Sequence, residues 1–279
     1  MRKRMNVLEK AKAVIDGFDF NEEHIAKFNE SAGTELSSES LKDYLKKWLL
    51  YYLIPELTAY DSEEEVQLGT TKLYGLPHLP DSMEFPEDMI FAGQFNLAEI
   101  KPHDIFNEVP KDSGIYYFFV DVNGVESEVF FYDGPVDDLK IREYPNGDEY
   151  ESSKILNLTG KTEELYLQSE IIGWWIGAEE EYDAYDLATI IGADVLKRLE
   201  GLLQKEAGSF TLYDHLGSLP DEYFFGKPRY YQGEDGDTPD FYPGFFGFEP
   251  PWQEDCFLNL SVWQDKWSKK YFGDIEITC

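Results

Sequence analysis

The chain has 279 residues, enough for one large domain or about two smaller ones, and its 42% hydrophobic content excludes disorder as a whole. It carries 24 Lys and Arg against 56 Asp and Glu, a formal net charge of −32. A field of that sign repels phosphate backbones and anionic membranes, so nucleic acid and membrane are excluded as partners, and a basic protein is the partner it attracts.

Two cysteines, Cys256 and Cys279, cannot build a disulfide framework or a cysteine-based zinc site. The first residues are basic, then amphipathic and charged, with no apolar signal-peptide core. The densest apolar run, residues 48–54, is only seven residues long, far short of a membrane span. The expected location is cytoplasmic.

In chain order, the first elements read as helices. Val7, Leu8, Ala11, Val14 and Ile15 recur at helical spacing up to Gly17, and Asn21 caps a second helix that includes Ala26 and Phe28. Ser37 or Ser38 starts a third helix, with a stripe of Leu41, Tyr44, Leu45, Trp48, Leu49 and Tyr52 that ends at Pro55. Residues 61–65 form an acidic link, placing a boundary between a helical segment, 1–60, and a β-rich domain, 61–279.

Beyond the link the period changes. Residues 89–96, 114–121, 127–132 and 165–176 are aromatic and β-branched, with turn residues between them, and predict strands. Asn123-Gly124 suits a type I′ hairpin turn. A helix follows over 185–206, made less regular by Gly192 and Gly201 and closed by Gly208, and 257–263 and 271–278 are the final strands. The fold class is α+β, with N-terminal helices before a mainly antiparallel sheet.

Residues 72–86 read KLYGLPHLPDSMEFP, 90–100 read IFAGQFNLAEI, and Val109-Pro110 with Gly114 leads into the aromatic strand 115–120. In this order the three segments resemble the opening motifs of the YwqG-like family, whose members are uncharacterised. His215, Gly217 and Pro220, the run 257–260 and Gly273-Asp274 resemble that family's later motifs more faintly. Leu-Pro segments at 75–80 and 215–220 each precede an apolar strand, so the resemblance implies two duplicated α+β repeats. Gly and Pro at tight strand entries explain these motifs without any chemistry.

No catalytic or metal constellation stands out. None of His24, His78, His103 and His215 pairs with another at helical metal-binding spacing. Asp214, His215 and Ser218 lack a nucleophile elbow. Gly69-Thr70-Thr71-Lys72 lacks the spacing of a phosphate loop, and the acids of 234–240 do not match a calcium loop. No cofactor and no catalytic residue is assigned.

Two surfaces carry the functional expectation. Residues 220–256 contain no Leu, Ile, Val, Ala or Met, but eleven aromatic rings among Gly, Pro and acids. Such rings either form a rigid contact surface or plug the core beneath a long loop. Tyr230, Tyr231, Phe241, Tyr242 and Phe245 are the candidate partner-binding rings. Residues 121–190 hold eighteen acids and four bases, densest at Glu179, Glu180 and Glu181, the candidate acidic contacts. The function expected is non-enzymatic binding of a basic protein, as an immunity-type inhibitor of a bacterial toxin would do. An enzyme or small-ligand binder using His215 and a pocket between the repeats is the alternative, and a housekeeping interaction module a third reading.

Overall fold

A computed structural model describes residues 6–121, 126–145, 153–180, 183–213, 220–226, 245–252 and 256–278. Three helices come first: α1 (Val7–Gly17), α2 (Glu22–Ala32) and α3 (Ser38–Lys47). The strands β1 (Leu49–Tyr60), β2 (Lys72–Leu73), β3 (His78–Pro80) and β4 (Met89–Asn96) precede a short α4 (Leu97–Ile100). Then come β5 (Ile115–Asp121), β6 (Ser127–Tyr132), β7 (Leu139–Ile141), β8 (Ser153–Gln168) and β9 (Glu170–Ile172). A second helical stretch contains α5 (Gly173–Ile176), β10 (Ala184–Asp186), α6 (Leu187–Ile191) and α7 (Ala193–Ala207). The chain closes with β11 (Phe210–Tyr213), β12 (Tyr223–Phe224), β13 (Phe246–Phe248), β14 (Phe257–Gln264) and β15 (Tyr271–Thr278).

The chain divides into two compact units. The first joins Met1–Tyr52 to Glu163–Pro220, so the N-terminal helices share a unit with α5, α6 and α7 rather than forming a segment of their own. Their starts follow from local chemistry. Asn6 and Glu9 cap each other in a capping box, with Glu9 N–H donating to Asn6 Oδ1 at 2.7 Å. The Asn21 side chain accepts from the backbone N–H groups of Glu23 and His24. The Ser37 hydroxyl accepts from Ser40 N–H at 3.1 Å. Helices α1 and α7 pack together, and Ala11, Ile15, Leu199 and Leu203 on them are all buried. The end of β8 pairs in parallel with β11, Phe210 opposite Leu165.

The third helix is shorter than the stripe predicted. It stops at Lys47, and the chain is extended from Leu49 onward, through Pro55. Leu49 to Leu53 are all buried, so the run has apolar cover on both faces and no period to separate helix from strand. Pro55 lies beyond the single pair that β1 makes with β12, Leu53 opposite Phe224, where its missing N–H removes no ladder bond to that strand. Two other elements also differ: 165–176 is the end of β8, then β9 and α5, and 185–206 divides at Gly192 into α6 and α7 after a short β10.

The second unit, Leu53–Thr162 with Asp221–Cys279, is built on an antiparallel sheet. Its strand order is β15-β14-β13-β12-β1-β8-β2-β4-β5-β6. The sheet curls until its outer strands approach, with the Phe131 and Tyr271 rings 4.6 Å apart. The α+β expectation therefore holds, with N-terminal helices followed by a large antiparallel sheet. The turn expected at 122–125 lies outside the described residues; the strands flanking it pair as expected, Val120 opposite Ser127. A duplication is not seen in the described residues, and the second Leu-Pro segment falls largely outside them.

The core of this unit is aromatic. Leu79, Phe91, Ile115, Tyr117, Phe119, Leu139 and Tyr144 form one cluster under β4 and β5. On Phe95 converge the rings of Phe118, Phe224, Phe245 and Phe246, at 5.5, 6.0, 5.5 and 4.9 Å. Cys256 is buried and disulfide-bonded. One such bond is not a framework.

Phe245 is therefore a core ring, 3% exposed, rather than a turn-held contact. Replacing it with Ala should lower unfolding free energy by about 3–5 kcal/mol, the cost of an emptied aromatic site. Denaturant unfolding checks this, and a variant as stable as the parent would place the ring outside the core.

Candidate functional site

The densest chemistry among the described residues is sealed inside the second unit. Lys72, on β2, has a side chain with no exposed surface. Its ammonium can donate three hydrogen bonds, and three acceptors meet it: a Glu63 carboxylate oxygen, the Leu76 carbonyl at 2.5 Å and the Ser153 hydroxyl at 3.1 Å. Glu63 sits in a single 3-10 turn, Glu63–Glu65, within the acidic link.

The carboxylate is as fully occupied as the ammonium. One oxygen accepts from Lys72 and from His78 Nε2, the latter at 2.9 Å. The other accepts from the Ser153 hydroxyl and from Leu76 N–H at 3.2 Å. The histidine tautomer follows from its second nitrogen: Gly69 N–H points at His78 Nδ1 at 3.0 Å, so Nδ1 accepts and the proton sits on Nε2, facing Glu63. Gln94 completes the net. Its side-chain oxygen accepts from His78 N–H at 2.9 Å and its amide donates to the Thr70 carbonyl at 2.8 Å. The Tyr117 hydroxyl donates to the His78 carbonyl at 2.7 Å.

Local sequence makes this close approach feasible. Gly75 has φ +67°, and a Cβ there would lie 2.0 Å from Ser153 Oγ and 2.6 Å from a Glu63 oxygen, so only glycine fits the turn over the pair. Burial alone would raise the Glu63 carboxyl, but the His78 hydrogen bond and the Lys72 charge outweigh it and hold it down at about 2. Burial pulls the Lys72 ammonium down to about 8 against the opposing pull of Glu63. His78 is also lowered, chiefly by burial. Every donor and acceptor of Lys72 and Glu63 is spent inside the net, which leaves none facing a substrate.

The surface presents different groups. Glu179 and Glu180 are exposed just after α5, whereas Glu181 lies outside the described residues. Tyr230, Tyr231, Phe241 and Tyr242 also lie outside them, as do Asp214, His215, Ser218 and the acids of 234–240. Among the described residues no cluster of His, Cys, Asp or Glu is arranged to hold a metal ion. His24 is engaged at the Thr189 carbonyl, 2.9 Å away.

Exposed rings occur where the sequence had suggested only strands. Trp174 is 45% exposed and stacks on Trp175 at 3.7 Å. On the β14–β15 hairpin, Trp263 and Phe272 stack across the strands at 6.1 Å, and Trp267, at the tip, is 91% exposed. Sequence reasoning saw Glu63 only as part of an acidic link and Lys72 only as the end of a rejected phosphate loop, since nothing local distinguishes a lysine that will be buried from one that will be solvated.

The fold and this net together define an α+β protein whose concentrated polar chemistry is internal. Residues 71–172 match the family described as "Domain of unknown function (DUF1963)". The matched span contains Lys72, His78, Gln94 and Ser153, leaves out Glu63, and ends well before the Leu-Pro segment at 215–220. No curated protein matches the chain significantly. No helix among the described residues is long and apolar enough to cross a membrane.

The net makes stability pH-dependent with a definite sign. Between the folded and unfolded pKa values of Glu63, about 2 and 4.5, the unfolded chain binds more protons, so Glu63's contribution is present above 4.5 and lost toward 2. His78 is lowered from 6.5, so its contribution fades in the same direction, below 6.5. Urea midpoints should fall on acidification, and Glu63→Gln should flatten the segment between about pH 4.5 and 2. Parallel curves for the two proteins would contradict the depressed carboxyl.

Proposed function

We propose that the protein is a non-enzymatic binding protein whose acidic surface captures a basic protein, with immunity-type inhibition of a bacterial toxin as the particular form of that activity. The observation that carries the reading is the contrast between interior and surface. The one dense set of polar groups among the described residues is consumed within itself, while the chain as a whole bears a formal charge of −32. We assign residues 61–279, on the Leu-Pro motif and the segments that follow it, to a YwqG-like domain, a family name that supplies no function.

Glu179 and Glu180 support a capture role because their segment is anchored at its start. Glu179 N–H donates to the Ala32 carbonyl at 3.1 Å, and the Glu179 side chain lies across Gly33. A backbone anchored in this way presents its carboxylates to a basic surface with less ordering cost. Acidic inhibitors suit nucleases and other basic targets, because the charge that steers encounter also imitates the phosphates of their substrates.

The test is kinetic. With the partner recovered from the source cells on the tagged chain and purified, its association rate should fall at least about tenfold from low to physiological salt. Glu179→Lys with Glu180→Lys should slow association more than it speeds dissociation. A partner that is not basic, or an association rate indifferent to salt, would overturn the proposal.

A further inference from the structure

The first unit contains a cleft of about 560 Å³ lined by Gly33, Glu35, Ser40, Tyr44, Trp175 and Gly177, among others, none of them basic. It is built by the turn after α2, by Ser40 and Tyr44 of α3, and by the end of α5 with the turn that follows it. The two turns are tied together by Glu179 N–H donating to the Ala32 carbonyl at 3.1 Å and by the Thr34 hydroxyl donating to the Ile176 carbonyl. The Asn29 amide closes the first turn on the Leu36 carbonyl at 2.7 Å. Gly33 has φ +63°, and a Cβ there would meet Glu179 Cγ at 2.2 Å, so the glycine leaves room for the glutamate side chain over this lining residue.

A continuous row of rings runs from the wall of this cleft to the surface. Tyr44 stacks on Trp48 at 5.9 Å, Trp48 meets the Trp175 ring at 6.0 Å, and Trp175 stacks on the half-exposed Trp174. Exposed Glu35 lines the same cleft as Tyr44 and Trp175, and exposed Glu179 lies over Gly33, another lining residue. Faces of indole and phenol rings attract a cation through their quadrupole, and carboxylates nearby hold it by charge-assisted hydrogen bonds.

We infer that this cleft receives a cationic side chain of the basic partner, arginine in preference to lysine. The inference rests on the binding reading above and names where the partner's charge goes. A guanidinium is planar and weakly hydrated, so it can lie on a ring while its fork engages a carboxylate, whereas an ammonium is a compact, strongly hydrated charge.

Hexa-arginine and hexa-lysine peptides, titrated into the full chain at low salt and followed by indole fluorescence, test it. Hexa-arginine should bind more tightly than hexa-lysine. Trp174→Ala and Glu35→Gln should each weaken it about fivefold or more. Glu22→Gln, which removes one exposed charge from the start of α2, should change it less than about twofold. Melting curves confirm that each variant is folded. If Trp174→Ala and Glu35→Gln bind like Glu22→Gln, the cleft assignment is overturned and the acidic-surface reading still stands. If the parent protein binds neither peptide, both are overturned.

Discussion

The buried pair of Lys72 and Glu63 is the constraint on which the second unit is organised. Removing two charges from water is costly, and only complete hydrogen bonding and close opposite charge offset it. Here each charge is fully subscribed: three acceptors for the ammonium, four donors for the carboxylate. The groups that satisfy them come from the 3-10 turn at 63–65, from β2, from the Gly75 turn, from β3 and from the first residue of β8. The pair therefore works as a register pin. A slip of one residue in any of these segments would leave a charge unpaired in the interior, at a cost of several kcal/mol.

That economy shapes the functional conclusion. A lysine drawn down to about 8 and a neutral histidine beside a carboxylate would suit proton transfer if they faced a cavity. They face each other, with the Lys72 and His78 side chains fully buried. What the protein turns outward is charge and rings. Glu179 and Glu180 stand in a turn anchored to Ala32, Trp174 rests on Trp175, and the β14–β15 hairpin carries Trp267 at its tip. Rings fixed by stacking lose little entropy when they are covered, and under the proposed function a net negative field would steer basic surfaces to them.

Legibility in the sequence followed the range of the interaction involved. Helix starts at Asn21 and at Ser37 could be read because a cap and its N–H groups lie within three residues. The strands 89–96 and 271–278 could be read because β-branched and aromatic runs end at turn residues. The stretch from Trp48 to Tyr52 could not, since burial on both faces erases the period that separates helix from strand. The net around Lys72 was hidden for a different reason. His78 looked solitary because its partner is a carboxylate fifteen residues upstream, and Ser153 reaches Glu63 across ninety residues. Such pairings are made by topology and leave no local trace. The aromatic segment 220–256 was recognised as unusual, yet composition alone could not separate Phe245, a plug of the core, from a contact ring.

The central claim is that the internal charges hold the fold and the surface does the binding. Unfolding free energy and partner affinity, measured together for Lys72→Met and for Glu63→Gln with Lys72→Met, test it most directly. Breaking the pair at Lys72 should cost about 3–5 kcal/mol of stability, and the double substitution should recover a large part of it. The affinity of each variant for the proposed basic partner should match the parent wherever the protein is folded. A Lys72→Met protein that is as stable as the parent but has lost its biological activity would contradict the account, because it would make Lys72 a working residue.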